Sequence, residues 1–358
     1  MKLPFGRTEQ RDVTILSLDG GGIRGIIPIT ILIALQKQLE SLGLHQPLYT
    51  YFDLIAGTST GGLIALGLTA PQELERHDDH QIKKGFWKRK NDKPEPLLPA
   101  MTLENLLELY ETRSGDIFSK GPLRQLGPLG QFFMEKYDEQ SLAEVLREVF
   151  GTRLMEDAMT PLVVTAYECI EGTPYLFRSY RNPAFSMAEA ARATTAAPTY
   201  FSPAFIPSPD TGKELCFIDG GVVANNPSLY AYLEAKRLFP QARKFHMLSI
   251  GTAGSLFSLP MQGLKRMGIL DWVTPSKGVP LLHIYSSGQY HTTEQVLTSL
   301  PEVTYDRIAG NQGNKPIPMD DISRAHILRL KRTAAHIAET EKQRLREYCT
   351  SYIAPRYR

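Results

Sequence analysis

Two short stretches of this 358-residue chain carry residue types that can do chemistry together. "GTSTG", residues 57–61, matches G-x-S-x-G: Gly57 and Thr58, then Ser59, then Thr60 and Gly61. In a strand-to-helix context that pattern lifts a serine clear of a sheet with its hydroxyl exposed. "CFIDGGVVANNPS", residues 216–228, brings an apolar run to a stop at Asp219, followed by Gly220 and Gly221. The two glycines let the chain turn away without crowding the carboxylate. A serine hydroxyl is a weak nucleophile until a neighbouring base takes its proton, and Asp219 is the candidate base for Ser59. Each residue also has a plainer reading. Ser59 would cap the helix that follows it, and Asp219 would cap an Asp-Gly turn.

A third stretch, "LSLDGGGIRG" at residues 16–25, demands a backbone that something approaches closely. Gly20, Gly22 and Gly25 satisfy G-x-G-x-x-G, but a dinucleotide site also needs an acidic residue ending the second strand. Glu40 has roughly the separation and falls inside the first helix, while the second strand leads to Ser59 instead. The amides of Gly20, Gly21, Gly22, Ile23, Arg24 and Gly25 therefore read better as an oxyanion hole, where one donor is worth about 2.7–4 kcal/mol to the transition state. His246, His283, His291, His326 and His336 follow Ser59 in the chain, and none stands in a small-residue loop suited to an active-site turn. A histidine-containing carboxylesterase triad and a nucleotide-binding regulatory protein stay open as alternatives.

These turns need a sheet to present them. "VTILSL" (13–18) and the run ending at Gly57 read as strands, each followed by a glycine-rich turn and an apolar helix, the first closing at Gly43. Further strands are predicted at 161–169, 174–179, 214–219 and 244–251, with helices at 102–112, 186–195 and 228–238. Alternating strands and helices argue for an α/β fold with a largely parallel sheet. From Asp320 to about Tyr348 one long helix is predicted, with Ile327, Leu330, Ala334, Ile337, Leu345 and Tyr348 as its packing stripe.

Composition narrows the rest. With 42% hydrophobic and 22% charged residues the chain is ordinary globular material, and 40 basic against 38 acidic side chains give +2, which offers no global field for DNA or RNA. Cys169, Cys216 and Cys349 form no metal or redox pair and read as reduced thiols of a cytoplasmic protein. The N-terminal stretch lacks an apolar export signal, and no run of apolar residues is long enough to predict a membrane span.

"DGGGIRG", "GTSTGG", "ATTAAPTYFSP" (193–203), "DGGVVANNPS" and "LSIGT" occur in an order and spacing that resembles the patatin-like phospholipases, from plant storage patatins to bacterial relatives. The resemblance runs from about residue 13 to 252. It implies a three-layer α/β/α sandwich with a mainly parallel central sheet, a catalytic core at 13–252, and a helical extension at 253–358 acting as lid or regulator. It also implies a phospholipase A type of lipid acyl hydrolase. In it Ser59 and Asp219 would form a dyad without histidine, residues 20–25 the oxyanion hole, and no metal or cofactor would be needed. The expected partner is a phospholipid membrane surface, met by a cytoplasmic enzyme that is peripheral when active. Segment 83–96, with Phe86, Trp87 and Lys88 among six Lys or Arg, and segment 254–275, with Phe257, Met267 and Trp272, are candidates for that contact. Bacterial relatives of similar size that act as antiviral effectors imply a cyclic-nucleotide activator, one that would bridge subunits of an oligomer or move segment 254–275.

Overall fold

Strands whose residues are apolar on both sides belong in the middle of a sheet covered on both faces. β1 (Val13–Leu18) is such a strand, buried along its whole length. The computed structural model describes residues 11–72, 96–117, 139–181, 184–198, 200–254, 280–310 and 319–356, together with Gly268 and Trp272. Around β1 lie β2 (Leu54–Thr58), β3 (Leu162–Glu168), β4 (Thr173–Arg178), β5 (Ala204–Pro207), β6 (Glu214–Asp219), β7 (Phe245–Ile250) and β8 (Val303–Ile308). The order is β5-β6-β3-β2-β1-β7-β8, with β4 also paired to β3. β3, β2, β1, β7 and β8 run parallel, while β4 and β6 meet β3 antiparallel and β5 meets β6 antiparallel.

Alternation along the strands sends side chains to two separate cores. Leu16, Leu18, Ile55, Leu162 and Val164 pack under α1 (Ile26–Ser41), α2 (Thr60–Thr69), α3 (Leu103–Thr112), α4 (Glu139–Phe150) and α5 (Met187–Thr194). The one-turn α6 (Gly221–Ala224) leads into α7 (Ser228–Leu238), which lies on the other face. There Val13, Ile15, Leu54, Ala56 and Val163 pack with Ala231, Tyr232 and Ala235 of α7 and Leu297 of α8 (Pro280–Ser299). The molecule is thus a three-layer α/β/α sandwich. α1 ends as predicted, with Gly43 at φ 79 and its amide and that of Leu44 bonded back to Glu40 and Leu39, a Schellman closure. Among the described helices, Gly22–Ser41 has the length and composition of a membrane span, yet eight residues of α1 are buried, seven of them Ile or Leu.

Beyond residue 252 the structure differs from the expected helical extension. β8 adds a parallel strand to β7 in register from Phe245↔Val303 to Ile250↔Ile308, so the sheet itself continues into this region. The long C-terminal helix is two, α9 (Arg324–Thr340) and α10 (Lys342–Tyr348), separated at Glu341. Their stripe of Leu330, Ala334, Ile337, Leu345 and Tyr348 is buried in the same core as α1.

Candidate active site

The sheet brings Ser59 and Asp219 together by dividing one strand edge between two neighbours. Residues 163–168 of β3 pair with β4 along one edge. On the other edge, β2 occupies residues 162–165, ending at Thr58↔Thr165, and β6 occupies residues 166–168, ending at Ala166↔Asp219. β2 runs up that edge and β6 runs down it, so their C-terminal ends meet head to head. Asp219 does stand at the rim where parallel strands end, but it arrives there on an antiparallel strand.

At the junction the Ser59 side chain lies against the Asp219 carboxylate and favours its charged form. Ser59 makes no side-chain cap to α2, which removes the helix-cap reading. Asp219 does hold its own turn, since Oδ1 accepts the Gly221 N–H at 2.7 Å, while the same carboxylate faces Ser59. The carboxylate is 6% exposed, and burial pushes it up to about 6 against the pull of Ser59 and of the Gly221 amide.

Ser59 sits at φ 53 and ψ −123, a conformation costly for a residue with a side chain. Backbone contacts hold it there. A Cβ on Gly61 would stand 2.2 Å from the Leu18 carbonyl oxygen, and one on Gly57 would stand 2.2 Å from that of Gly61. The Ser59 amide donates to Thr194 Oγ1 at 2.8 Å. Thr58 Oγ1 bonds Thr165 Oγ1 at 2.7 Å and the Ala224 carbonyl at 2.6 Å, tying β2 to β3 and to α6. Thr60 shares a hydrogen bond with Tyr110, and Gly25 packs against that pair. Gly220 lies so close to Thr165 that a Cβ would meet its carbonyl carbon at 2.6 Å.

The glycine turn packs directly on the serine: a Cβ on Gly20 would be 3.2 Å from that of Ser59. Three amides of the turn are already engaged, Gly20 with Asn225 O at 3.0 Å, Ile23 with Met319 O at 2.8 Å and Arg24 with Gly21 O at 3.2 Å. Among the described residues, those of Gly21 and Gly22 have no acceptor. Their directions follow from peptide planarity, which sets each N–H opposite the preceding C=O. The Gly20 carbonyl is turned inward to accept from Thr252 Oγ1 at 2.9 Å. The Gly21 carbonyl is turned to the Arg24 amide and to Arg24 Nε, the latter at 3.2 Å. Both free amides therefore point away from these anchors. Burial pulls the Arg24 guanidinium down to about 10, against Tyr200 and Asp19.

Sequence reasoning did not single out Thr194, Thr252 or Arg307 for the site. Thr194 and Thr252 stand inside the quoted stretches "ATTAAPTYFSP" and "LSIGT", hydroxyl residues at element ends, and that was the available signal. Arg307, on β8, clasps Asp19 just before the glycine turn: Nη1 donates to Oδ1 at 2.8 Å and to Ser249 Oγ at 2.7 Å, and Nη2 pairs with Oδ2. Burial alone would pull this guanidinium down; the charge and hydrogen bonds of Asp19 outweigh it and hold Arg307 above its ordinary value.

The histidines lie elsewhere. His246 pairs in register with Thr14, at the far end of the strands from Ser59, and bonds Asp12 at 3.0 Å while stacking on Tyr352. His326 pairs with Asp321 at the start of α9, His291 packs on Tyr290, and His336 is exposed. The side chain of His283 lies outside the described residues, as do segment 83–96 apart from Pro96 and segment 254–275 apart from Gly254, Gly268 and Trp272.

The family model for Patatin-like phospholipase matches residues 16–232. Patatin-like protein 2 of Oryza sativa subsp. indica is 29% identical over 362 residues, covering 88% of this chain and 81% of its own length. A Solanum tuberosum relative named "Probable inactive patatin-3-Kuras 1" is 30% identical over 287 residues, covering 74% of this chain and 69% of its own. Among solved structures, human GIVD cytosolic phospholipase A2 is similar with a TM-score of 0.42 and 12% identity, over 95% of this chain and 60% of that one.

Proposed function

Because this chain belongs to the patatin-like phospholipase family, we propose that it hydrolyses fatty acyl esters of phospholipids through a Ser59–Asp219 pair. Membership alone does not carry activity, since one relative is named as inactive. The observation that carries the reading is that β2 and β6 end head to head on β3, bringing the Ser59 side chain against a buried Asp219 carboxylate.

Ser59 Oγ attacks the ester carbonyl carbon as its proton passes to Asp219. The charge that develops on the carbonyl oxygen is met by the free amides of Gly21 and Gly22, whose fixed orientation costs nothing at the moment of reaction. Collapse expels the alcohol, which takes the proton from Asp219 and leaves an acyl-Ser59. Water attacks that ester, giving its proton to Asp219, and the second collapse returns the proton to Ser59 and releases the fatty acid. A carboxylate raised to about 6 is a stronger base than an ordinary aspartate and is still ionised at neutral pH. A histidine triad gains no support, because no described histidine side chain contacts either residue. A nucleotide-binding turn gains none either, because Gly20 packs on Ser59 and Met319 O occupies the side of Gly22.

Cytoplasmic location, docking on a phospholipid surface, oligomer formation and an antiviral role under a cyclic-nucleotide activator belong to the same proposal, supported by the resemblance. The test is fatty acid release from phosphatidylcholine and phosphatidylglycerol vesicles, measured by mass spectrometry with and without cyclic di- and trinucleotides. Ser59→Ala and Asp219→Ala should each lower release by about 1,000-fold or more, with the double variant little worse than either, as for residues that act as a unit. Near-wild-type release by either folded variant contradicts the dyad, and full release unchanged by every nucleotide contradicts the activator.

A further inference from the structure

A groove of about 440 Å³ opens between α6, α7 and α8, lined mostly by apolar side chains that include Val223, Ala224, Leu229, Tyr230, Ile284 and Tyr285. Its floor is part of the site already described. α6 follows Asp219 and Gly220 directly, and the carbonyl of Ala224 holds Thr58, the residue before Ser59. Gln289 Nε2 donates to the Val222 carbonyl at 3.0 Å and fixes α8 as the opposite wall.

Gly288 lines this groove in the interior of α8. A glycine there weakens a helix, and neither usual reason for one applies. Its φ is not positive, and among the described residues nothing beyond its chain neighbours and the helix's own backbone lies within 4 Å of where a Cβ would stand. The space that Gly288 leaves is used by nothing in the described protein. α8 is also unusual for an outer helix in carrying a single charged residue, Glu294, over its twenty positions. Leu281, Ile284 and Tyr285, spaced i, i+3 and i+4 on one face, are 54%, 44% and 51% exposed. Leu297 of the same helix is buried beside Val13 and Phe245, where the strands begin, so α8 runs toward the catalytic rim from its C-terminal end. The eight residues from Gly288 back to Leu281 extend about 12 Å past the contact of Gln289 with Val222.

We propose that this groove holds a fatty acyl chain of the ester whose carbonyl is attacked by Ser59, with Gly288 keeping it open. This rests on the hydrolase reading and adds to it a place for the acyl chain. An apolar trough that begins one helical turn from the general base suits a chain that must lie in line with a carbonyl at the rim. The exposed Leu, Ile and Tyr at the outer end suit the point where that chain leaves a lipid surface.

Gly288→Leu fills the trough with a residue that favours the helix, so loss of folding does not confuse the result. The measurement is kcat/KM on hexadecanoyl and butanoyl nitrophenyl esters, beside binding of hexadecanoic acid to the catalytically silent Ser59→Ala protein with and without the Gly288 change. The ratio of hexadecanoyl to butanoyl kcat/KM should fall about tenfold or more, mainly through KM, with weaker fatty acid binding in parallel. An unchanged ratio with unchanged binding overturns the groove assignment. So does an altered oligomeric state by light scattering without a chain-length effect, which would give this face to a second copy of the chain. If Ser59→Ala still hydrolyses both esters, the hydrolase reading has failed, and the binding measurement still decides whether the groove takes an acyl chain.

Discussion

The rim that presents Ser59 and the helix α8 in the C-terminal part use glycine in opposite ways. At the rim, Gly57, Gly61 and Gly220 are wedged against backbone, so that any side chain would collide with atoms unable to move aside. In α8, Gly288 faces open space. The rim is held by the main chain: strand register, turn geometry and carbonyl contacts fix Ser59, Asp219 and the glycine turn. The later region reaches the same rim mostly through side chains, with Arg307 on Asp19, Gln289 on Val222 and the Tyr305 hydroxyl accepting from Asn226 Nδ2, beside one backbone contact, Met319 O on the Ile23 amide. Backbone-imposed geometry restricts residue type and therefore leaves a readable pattern. Side-chain support leaves little trace.

The contrast breaks most visibly at Arg307. Its side chain and that of Asp19 are 8% and 5% exposed, and removing one partner of a buried pair strands the other charge, at a cost of about 3–5 kcal/mol. Arg307→Met should therefore destabilise the fold by that order in urea titrations at neutral pH and sharply reduce turnover. Arg307→Lys keeps the charge without the two-pronged grip and should fold better while turning over more slowly than wild type. Wild-type stability and turnover in Arg307→Met would show that β8 contributes nothing to the rim.

A second expectation follows from the raised Asp219 carboxyl. Because its folded value of about 6 lies above the ordinary 3.8, the native chain holds a proton that the unfolded chain has lost across that window. Stability therefore falls as pH rises from about 4 to 6, and above it the ionised carboxylate is a standing cost of about 3 kcal/mol. Asp219→Asn should unfold at higher denaturant than wild type at pH 8, the difference vanishing by pH 4. Over the same range wild-type kcat/KM should rise with an apparent value near 6 and show no histidine limb. A stability difference that grows on acidification contradicts the burial of a destabilised base.

The smallest effects sharpen the comparison. Gly61→Ala puts a methyl group onto the Leu18 carbonyl and should cost about 1–3 kcal/mol or more. Gly288→Ala should instead gain about 0.5–1 kcal/mol from helix propensity. Melting temperatures that move in the same direction for the two variants would remove the distinction between them.

The same distinction explains what the sequence made legible. The two opening strand–turn–helix units, Ser59 and Asp219 could be read because their glycines are forced by contact. The six-strand reading missed β5, which is four residues long, and β8, whose first five residues are only partly buried and carry Thr304, Asp306 and Arg307. Those polar residues hide an edge strand until β7 is beside it. Asp219 ends β6, which runs antiparallel to β3, against the largely parallel sheet that alternating strands and helices suggest; strand direction is set by pairing with β3, which residue types do not encode. Of six amides read as an oxyanion hole, the turn leaves those of Gly21 and Gly22 without acceptors, a choice made by Thr252, Asn225 and Met319 from distant parts of the chain.

The central claim is that Asp219 activates Ser59 without a histidine, and covalent labelling tests it most directly. Wild type, Ser59→Ala and Asp219→Asn proteins, each shown to be folded, would be exposed to a long-chain fluorophosphonate, with the rate and position of the adduct followed by intact and peptide mass spectrometry. A single adduct on Ser59 is expected in wild type, none in Ser59→Ala, and labelling slowed by about 100-fold or more in Asp219→Asn, the scale of a lost general base. Labelling of Asp219→Asn at the wild-type rate, or an adduct on another residue, would contradict the central claim.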